Sequence, residues 1–213
     1  MRVLAIDTCL DACQAALIDN DAVIFSRTEP MHRGHQERLA PMLAEAMQAA
    51  GAGFDALDRI GVTVGPGSFT GLRVGLAFAK GLAIARGVPC IGVGVLEALA
   101  VSAGADGGVL AAIDARREQA YLQLFEDGRA AGEAEAVLLE DAGAWLQQRG
   151  GPGGLTIVGS GAPLLAEIAP GARILPLAAP DVLAIARIAA AADPPAAPPQ
   201  PIYLRAPDAR LPA

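Results

Sequence analysis

Residues 62–75 read Val-Thr-Val-Gly-Pro-Gly-Ser-Phe-Thr-Gly-Leu-Arg-Val-Gly. A short apolar run, Ile60 to Val64, stops at Gly65-Pro66-Gly67. Ser68 then stands where a helix N-cap belongs, and a helix-compatible run continues to Arg86. Strand, tight turn and helix N-terminus together are the layout of a phosphate cradle. Neither standard nucleotide pattern is met, however. A Walker A loop needs a lysine after its second glycine, and Lys80 lies far down the helix. The dinucleotide pattern needs three glycines in register, and after Gly65 and Gly67 the next, Gly71, falls one residue late. What remains is a capped helix behind a stiff corner, with free amides at Ser68 to Thr70 able to hold an anion.

That helix carries Gly71, Gly75, Ala79 and Ala83 at intervals of four, with Leu72, Leu76 and Leu82 beside them. A glycine inside a helix costs up to about 1 kcal/mol relative to alanine, so the stripe implies close packing. Two readings stand side by side: packing against the chain's own first helix, or against another subunit.

Upstream, Val3 to Thr8, Cys13 to Ile18 and Ala22 to Arg27 read as three antiparallel strands, the last two joined at Asp19-Asn20-Asp21. A helix follows from about Gln36 to Ala50, with Leu39, Met42, Leu43, Ala46 and Met47 at helical spacing; Pro41 needs a place near its first turn, or a kink. Downstream, Pro89 to Val93 is a strand and Leu96 to Ser102 a short helix. A second unit begins near Gly107, with strands at Val109 to Ile113, Gln119 to Phe125 and Leu155 to Val158. Its helices fall at Asp141 to Arg149, Pro163 to Ile168 and Asp181 to Ala192, before a Pro-rich stretch, Pro194 to Pro201, and a short tail after Arg205. The order predicts an α/β protein with mixed sheets flanked by helices, divided into residues 1–105 and 106–213.

Composition narrows the function classes. The 213 residues carry a formal net charge of −7 with 53% hydrophobic residues. Autonomous nucleic-acid binding needs a basic face, and Arg116-Arg117 is the only pair of adjacent cations. The first ten residues alternate, and Asp7 interrupts them too early for a signal peptide, so they read as the first strand of a cytoplasmic protein. An odd cysteine count (Cys9, Cys13 and Cys90) without a CxxC pair reads as free, buried thiols. His32 and His35 are three apart with no glutamate between them, which does not match a helical zinc motif. No serine sits in a nucleophile elbow. Asp7, Asp114 and Glu118 are carboxylates without an assigned partner. No catalytic set and no metal set is complete.

The segments IDTCLDACQAAL, HQERLAPML, GPGSFTGLRVGLAFAKGLA, DARREQAY and the closing YLR together resemble the TsaB (YeaZ) family over essentially the whole chain. The resemblance implies a two-lobe actin/Hsp70-like (ASKHA) fold and a non-catalytic role. It implies an accessory subunit of tRNA threonylcarbamoyladenosine synthesis, paired with TsaD and the ATPase TsaE, able to self-pair when alone and reaching tRNA only through the complex. The helices at Gln36 to Ala50 and Thr70 to Arg86 would form the partner surface, through Leu39, Leu43, Met47, Gly71, Leu72, Gly75, Leu76 and Ala79. Asp7, Gly159 and Gly161 would be relics of the fold's nucleotide site, because Thr8-Cys9-Leu10-Asp11 supplies none of the usual glycines. Catalytic relatives hold metal through histidines spaced four apart, which His32 and His35 are not. No resident cofactor is expected, although a nucleotide shared at a complex interface stays open. The alternative is a nucleotide-binding, kinase-like or hydrolytic enzyme of the same fold.

Overall fold

The computed structural model describes residues 1–205, so the tail expected after Arg205 lies outside the described residues. Three antiparallel strands open the chain: β1 (Arg2–Asp7), β2 (Ala12–Asp19) and β3 (Ala22–Pro30). Helix α1 (His35–Ala49) leads to β4 (Arg59–Thr63), then α2 (Phe69–Arg86), β5 (Cys90–Val93) and α3 (Val95–Ser102). The first sheet has the order β3-β2-β1-β4-β5, with β1, β4 and β5 parallel. Pro41 is accommodated inside α1 on its exposed side.

The second sheet is built from β6 (Val109–Arg116), β7 (Gln119–Glu126), β8 (Arg129–Ala130), β9 (Glu135–Leu138), β10 (Thr156–Val158) and β11 (Arg173–Leu175), in the order β11-β10-β6-β7-β8 with β9 also on β7. Helix α4 (Ala142–Gln147) lies between β9 and β10, and α5 (Val182–Ala191) follows β11. Strands β8, β9 and β11 have no counterpart in the sequence reading. They are two to four residues long and too short to show a period of two. Both sheets are mixed and flanked by helices, as expected.

The apolar run of β1 explains how the first sheet is covered. Leu4 and Ile6 join Leu17, Ile60 and Val62 on one face, under Leu39, Leu43, Leu72 and Leu76 of α1 and α2. Val3 and Ala5 face the other way, against Val182, Ile185 and Ala189 of α5. A strand buried on both faces reads as continuously hydrophobic rather than alternating. Helix α5 lies tight on β4 because position 61 has no side chain: a Cβ at Gly61 would sit 2.5 Å from Ala189 Cβ. Arg59 then donates to the carbonyls of Ala189 and Ala192, at 2.7 and 2.5 Å, and so closes the free end of that helix.

This corrects the expected boundary. Residues 182–203 do not stay with the unit assigned to 106–213 but return to the first sheet, α5 covering one face and Ile202 donating its N–H to the Val64 carbonyl at 2.7 Å. The sequence reading took chain order for spatial order. Helix α3 packs between the halves, against β6, β7 and α5. No helix of the described residues is long and apolar enough to cross a membrane.

Candidate functional site

The corner at residues 64–71 is sealed from three sides. Gly65 has φ +101° and a cis bond to Pro66. A Cβ there would meet the Ile202 carbonyl oxygen at 2.7 Å. The Ser68 amide donates to the Cys9 carbonyl at 2.7 Å, and the Ser68 hydroxyl accepts from the Gly71 amide at 3.2 Å as the N-cap of α2. Helix α2 then presses its glycines onto the end of β1. Thr8 Oγ1 donates to the Gly71 carbonyl at 2.7 Å, and a Cβ at Gly75 would lie 2.6 Å from that same hydroxyl.

The small-residue stripe therefore faces the chain's own first strand and not a partner. Leu39, Leu43, Met47, Gly71, Leu72, Gly75, Leu76 and Ala79 are all buried in the core. The partner surface assigned to these eight residues is corrected, except that Leu39 also lines the floor of an open groove between α1 and α2. Helical periodicity marks which stripe is covered but not what covers it, and here β1 and β4 cover the α2 stripe while α1 packs on β2 and β3.

The opposite side of α2 is the open one. Phe69, Arg73 and Ala77 are exposed, and Val74 and Phe78 half-buried, at successive helical turns. With Gln36, Leu39 and Thr70 they line a groove of about 500 Å³ between α1 and α2. Farther along, Ile84 is 80% exposed. The groove carries one charge, Arg73, whose guanidinium lies 3.7 Å from the Phe69 ring centroid. Tyr203 stacks on Phe69 at 5.6 Å, and Arg73 Nε donates to the tyrosine hydroxyl at 3.4 Å. Apart from Leu39, these residues were not picked out from sequence as a site. The signal was available, in that Phe69, Arg73 and Ala77 share one face with Val74 and Phe78 beside it, but the glycines drew the reading to the other side.

The relic nucleotide residues do not form an open site. Asp7 is fully buried. Its Oδ1 accepts from Thr63 Oγ1 at 2.6 Å and the Cys9 amide at 2.9 Å, and its Oδ2 from Gln14 Nε2 at 2.8 Å. Burial raises its carboxyl above the ordinary value, against those hydrogen bonds. Gln14 Nε2 also reaches the Pro180 carbonyl at 3.0 Å, so the side chain that satisfies Asp7 also anchors the approach to α5. Gly159 and Gly161 press on the backbone of β6 at Ala112 and Ile113, where a Cβ would collide. Between the two sheets lies a polar cleft of about 410 Å³ lined by Asp11, Ser68, Asp114, Arg116, Ser160 and Arg205 among others. Asp7, Gly159 and Gly161 do not line it.

His32 pairs with Asp11 at 3.0 Å in a largely exposed contact, whereas His35 is buried in the first turn of α1, its Nε2 without a partner among the described residues. The two are not brought together as ligands, and no cluster of three or more metal-ligating side chains occurs among the described residues. The three cysteines are free and buried; burial pushes the Cys13 and Cys90 thiols up to about 11 and that of Cys9 higher still.

Comparison with known proteins adds a family to this geometry. The family model "TsaD: tRNA N6-adenosine threonylcarbamoyltransferase" matches residues 11–153. The tRNA threonylcarbamoyladenosine biosynthesis protein TsaB of Escherichia coli is 41% identical over 145 residues, covering 65% of this chain and 62% of that protein. The namesake from Haemophilus influenzae is 37% identical over 57% of this chain and 52% of its own length. An uncharacterized Mycobacterium tuberculosis protein is 37% identical over 98% of this chain and 93% of its own. Among solved structures, YeaZ from Pseudomonas aeruginosa superposes with a TM-score of 0.75 at 29% identity, over 95% of this chain and 99% of that one. A nucleotide-bound dehydratase activator from Clostridium difficile, at 10% identity and a TM-score of 0.53, shares the actin/Hsp70-like fold alone. End-to-end similarity to YeaZ, TsaB relatives at up to 41% identity and the TsaD model over both α1 and α2 agree, and the chain belongs to the TsaB (YeaZ) family.

Proposed function

We propose that the chain is a non-catalytic subunit of tRNA threonylcarbamoyladenosine synthesis that docks a TsaD chain on its α1–α2 face. The observation that carries this reading is the uncovered apolar groove, in a chain whose Asp7 is taken up by its own Gln14 and Thr63 side chains. The TsaD model matches both helices of this chain, so a TsaD chain carries a related helix pair. Two related helix pairs pack as a pseudo-twofold interface, the arrangement that places similar patches against each other. The same face serves for self-pairing when TsaD is absent. TsaE joins the pair, and tRNA is gripped by the other subunits, since a net charge of −7 opposes direct binding. A role on tRNA puts the chain in the cytoplasm.

The catalytic alternative has less behind it. Asp7 accepts three internal hydrogen bonds and turns no oxygen toward the cleft. Isothermal titration with ATP and magnesium is expected to show no turnover by the isolated chain. The deciding experiment is reconstitution of threonylcarbamoyl transfer with TsaD, TsaE and tRNA, with and without this chain. Equal product in both reactions would sink the subunit reading.

A further inference from the structure

The residues that follow α5 end as a strap across the first sheet. Pro199 sits over Gly92, where a Cβ would be 2.8 Å from it. Ile202 bonds to Val64 at the corner. Tyr203 then lands on the first turn of α2, and Arg205 Nη1 donates to Gln119 on β7 at 3.2 Å. The strap thus delivers one half-exposed aromatic ring, Tyr203 at 43%, to the rim of the α1–α2 groove beside Phe69 at 46%.

We infer that Phe69, Arg73 and Tyr203 form a preset anchor on the docking face that takes a carboxylate from the partner's apolar helix surface. This rests on the docking reading above and specifies its chemistry. Arg73 has no carboxylate partner among the described residues, a state it shares with Arg33, Arg86 and Arg129 among others; what sets it apart is its place on the rim of an apolar groove, against Phe69 and Tyr203. Its guanidinium lies over the Phe69 ring and is tethered through Nε to Tyr203, which leaves both Nη groups for a ligand. A planar, held guanidinium forms a two-point bond to a carboxylate at low entropic cost. Tyrosine, arginine and aromatic side chains beside an apolar pocket are the residue types that dominate binding energy at interfaces. The groove floor carries no other charge, so Arg73 sets both the sign and the register of what docks there. Arg73 is the contacting residue; Tyr203 positions it.

The test is affinity for purified TsaD, measured by surface plasmon resonance with the full chain at low and high salt. Arg73→Gln is expected to weaken binding by about 30-fold and to flatten its salt dependence. Tyr203→Ala is expected to cost about 10-fold, and Tyr203→Phe, which keeps the stack, much less. Ala77→Arg, in the middle of the groove, reports on the docking face itself, and circular-dichroism melts confirm that each variant is folded. If Ala77→Arg abolishes binding while Arg73→Gln and Tyr203→Ala stay within twofold of wild type, the anchor is refuted and the docking face stands. Weaker binding by Arg73→Gln with an unchanged salt slope also overturns the carboxylate. Unimpaired binding by Ala77→Arg overturns the docking face, and the anchor with it.

Discussion

The glycines of α2 allow a matched-pair prediction. A Cβ placed on Gly71 falls on the Thr8 carbonyl oxygen, inside the 3.0 Å limit of real contacts, and 3.2 Å from the carbonyl carbon. Thr8 is fully buried and bonded to the same helix turn, so relief means pulling α2 off β1 and breaking the Thr8–Gly71 hydrogen bond. Overpacking of this kind costs about 1–3 kcal/mol, and a buried hydroxyl left without a partner costs about as much again. Replacing a helical glycine returns up to about 1 kcal/mol, so the net loss for Gly71→Ala is about 3 kcal/mol. Gly81, in the same helix, has nothing within 4 Å of its added Cβ. Gly81→Ala is expected to gain about 0.5–1 kcal/mol. Urea titration of the isolated chain reads both. With a slope near 3 kcal/mol/M the midpoint falls by about 1 M for Gly71→Ala and rises by about 0.3 M for Gly81→Ala. A Gly71→Ala chain as stable alone as wild type, yet unable to bind TsaD, would refute the assignment of the stripe to the core.

Three further outcomes follow from other contacts. Ser68→Ala removes the N-cap of α2 and is expected to cost about 1 kcal/mol in the same titration; no change would mean that the corner holds the helix without it. Thr63→Val strips a donor from buried Asp7 and is expected to cost about 1–3 kcal/mol, with a neutral result counting against that hydrogen bond as a stabilising contact. The third concerns pH. Because burial raises the Asp7 carboxyl above 3.8, the folded chain binds that proton more tightly than the unfolded chain. Its contribution is fully present below the unfolded value and is lost as pH rises through the raised folded value. The stability of wild type relative to Asp7→Asn should therefore fall as pH rises above the ordinary carboxylate value, and a difference that is flat with pH would contradict the raised carboxyl.

Most of the fold was legible in the sequence because its long elements have strong periods. The reading put α2 at Thr70 to Arg86 and the structure has Phe69–Arg86; α1, β1 and β2 agree to within a residue at each end, and β3 runs three residues past the expected Arg27. What was not legible depends on which surfaces meet. Nothing local in Val182–Ala191 says that it returns to β1, because an apolar helix is compatible with either sheet. The candidate site failed for a related reason. Gly71 and Gly75 were correctly read as a close-packing face, but the backbone they admit is that of Thr8, 63 positions from Gly71. Tyr203 follows a proline-rich stretch with no period, so its landing place on Phe69 could be found only in three dimensions.

The return of α5 to the first sheet has a consequence for synthesis. When residue 105 leaves the ribosome, every strand of that sheet exists, but Val3, Ala5, Ala16 and Ile18 still await the helix that buries them. At about 5–20 residues per second, about 4–17 s pass before residue 191 emerges. During that interval a growing chain displays an apolar sheet face of the kind that chaperones bind and that aggregates when crowded. A fragment cut after Ser102 would be fixed in that state, so the amino-terminal half should be insoluble when expressed alone and recover solubility when the peptide spanning α5 is supplied with it.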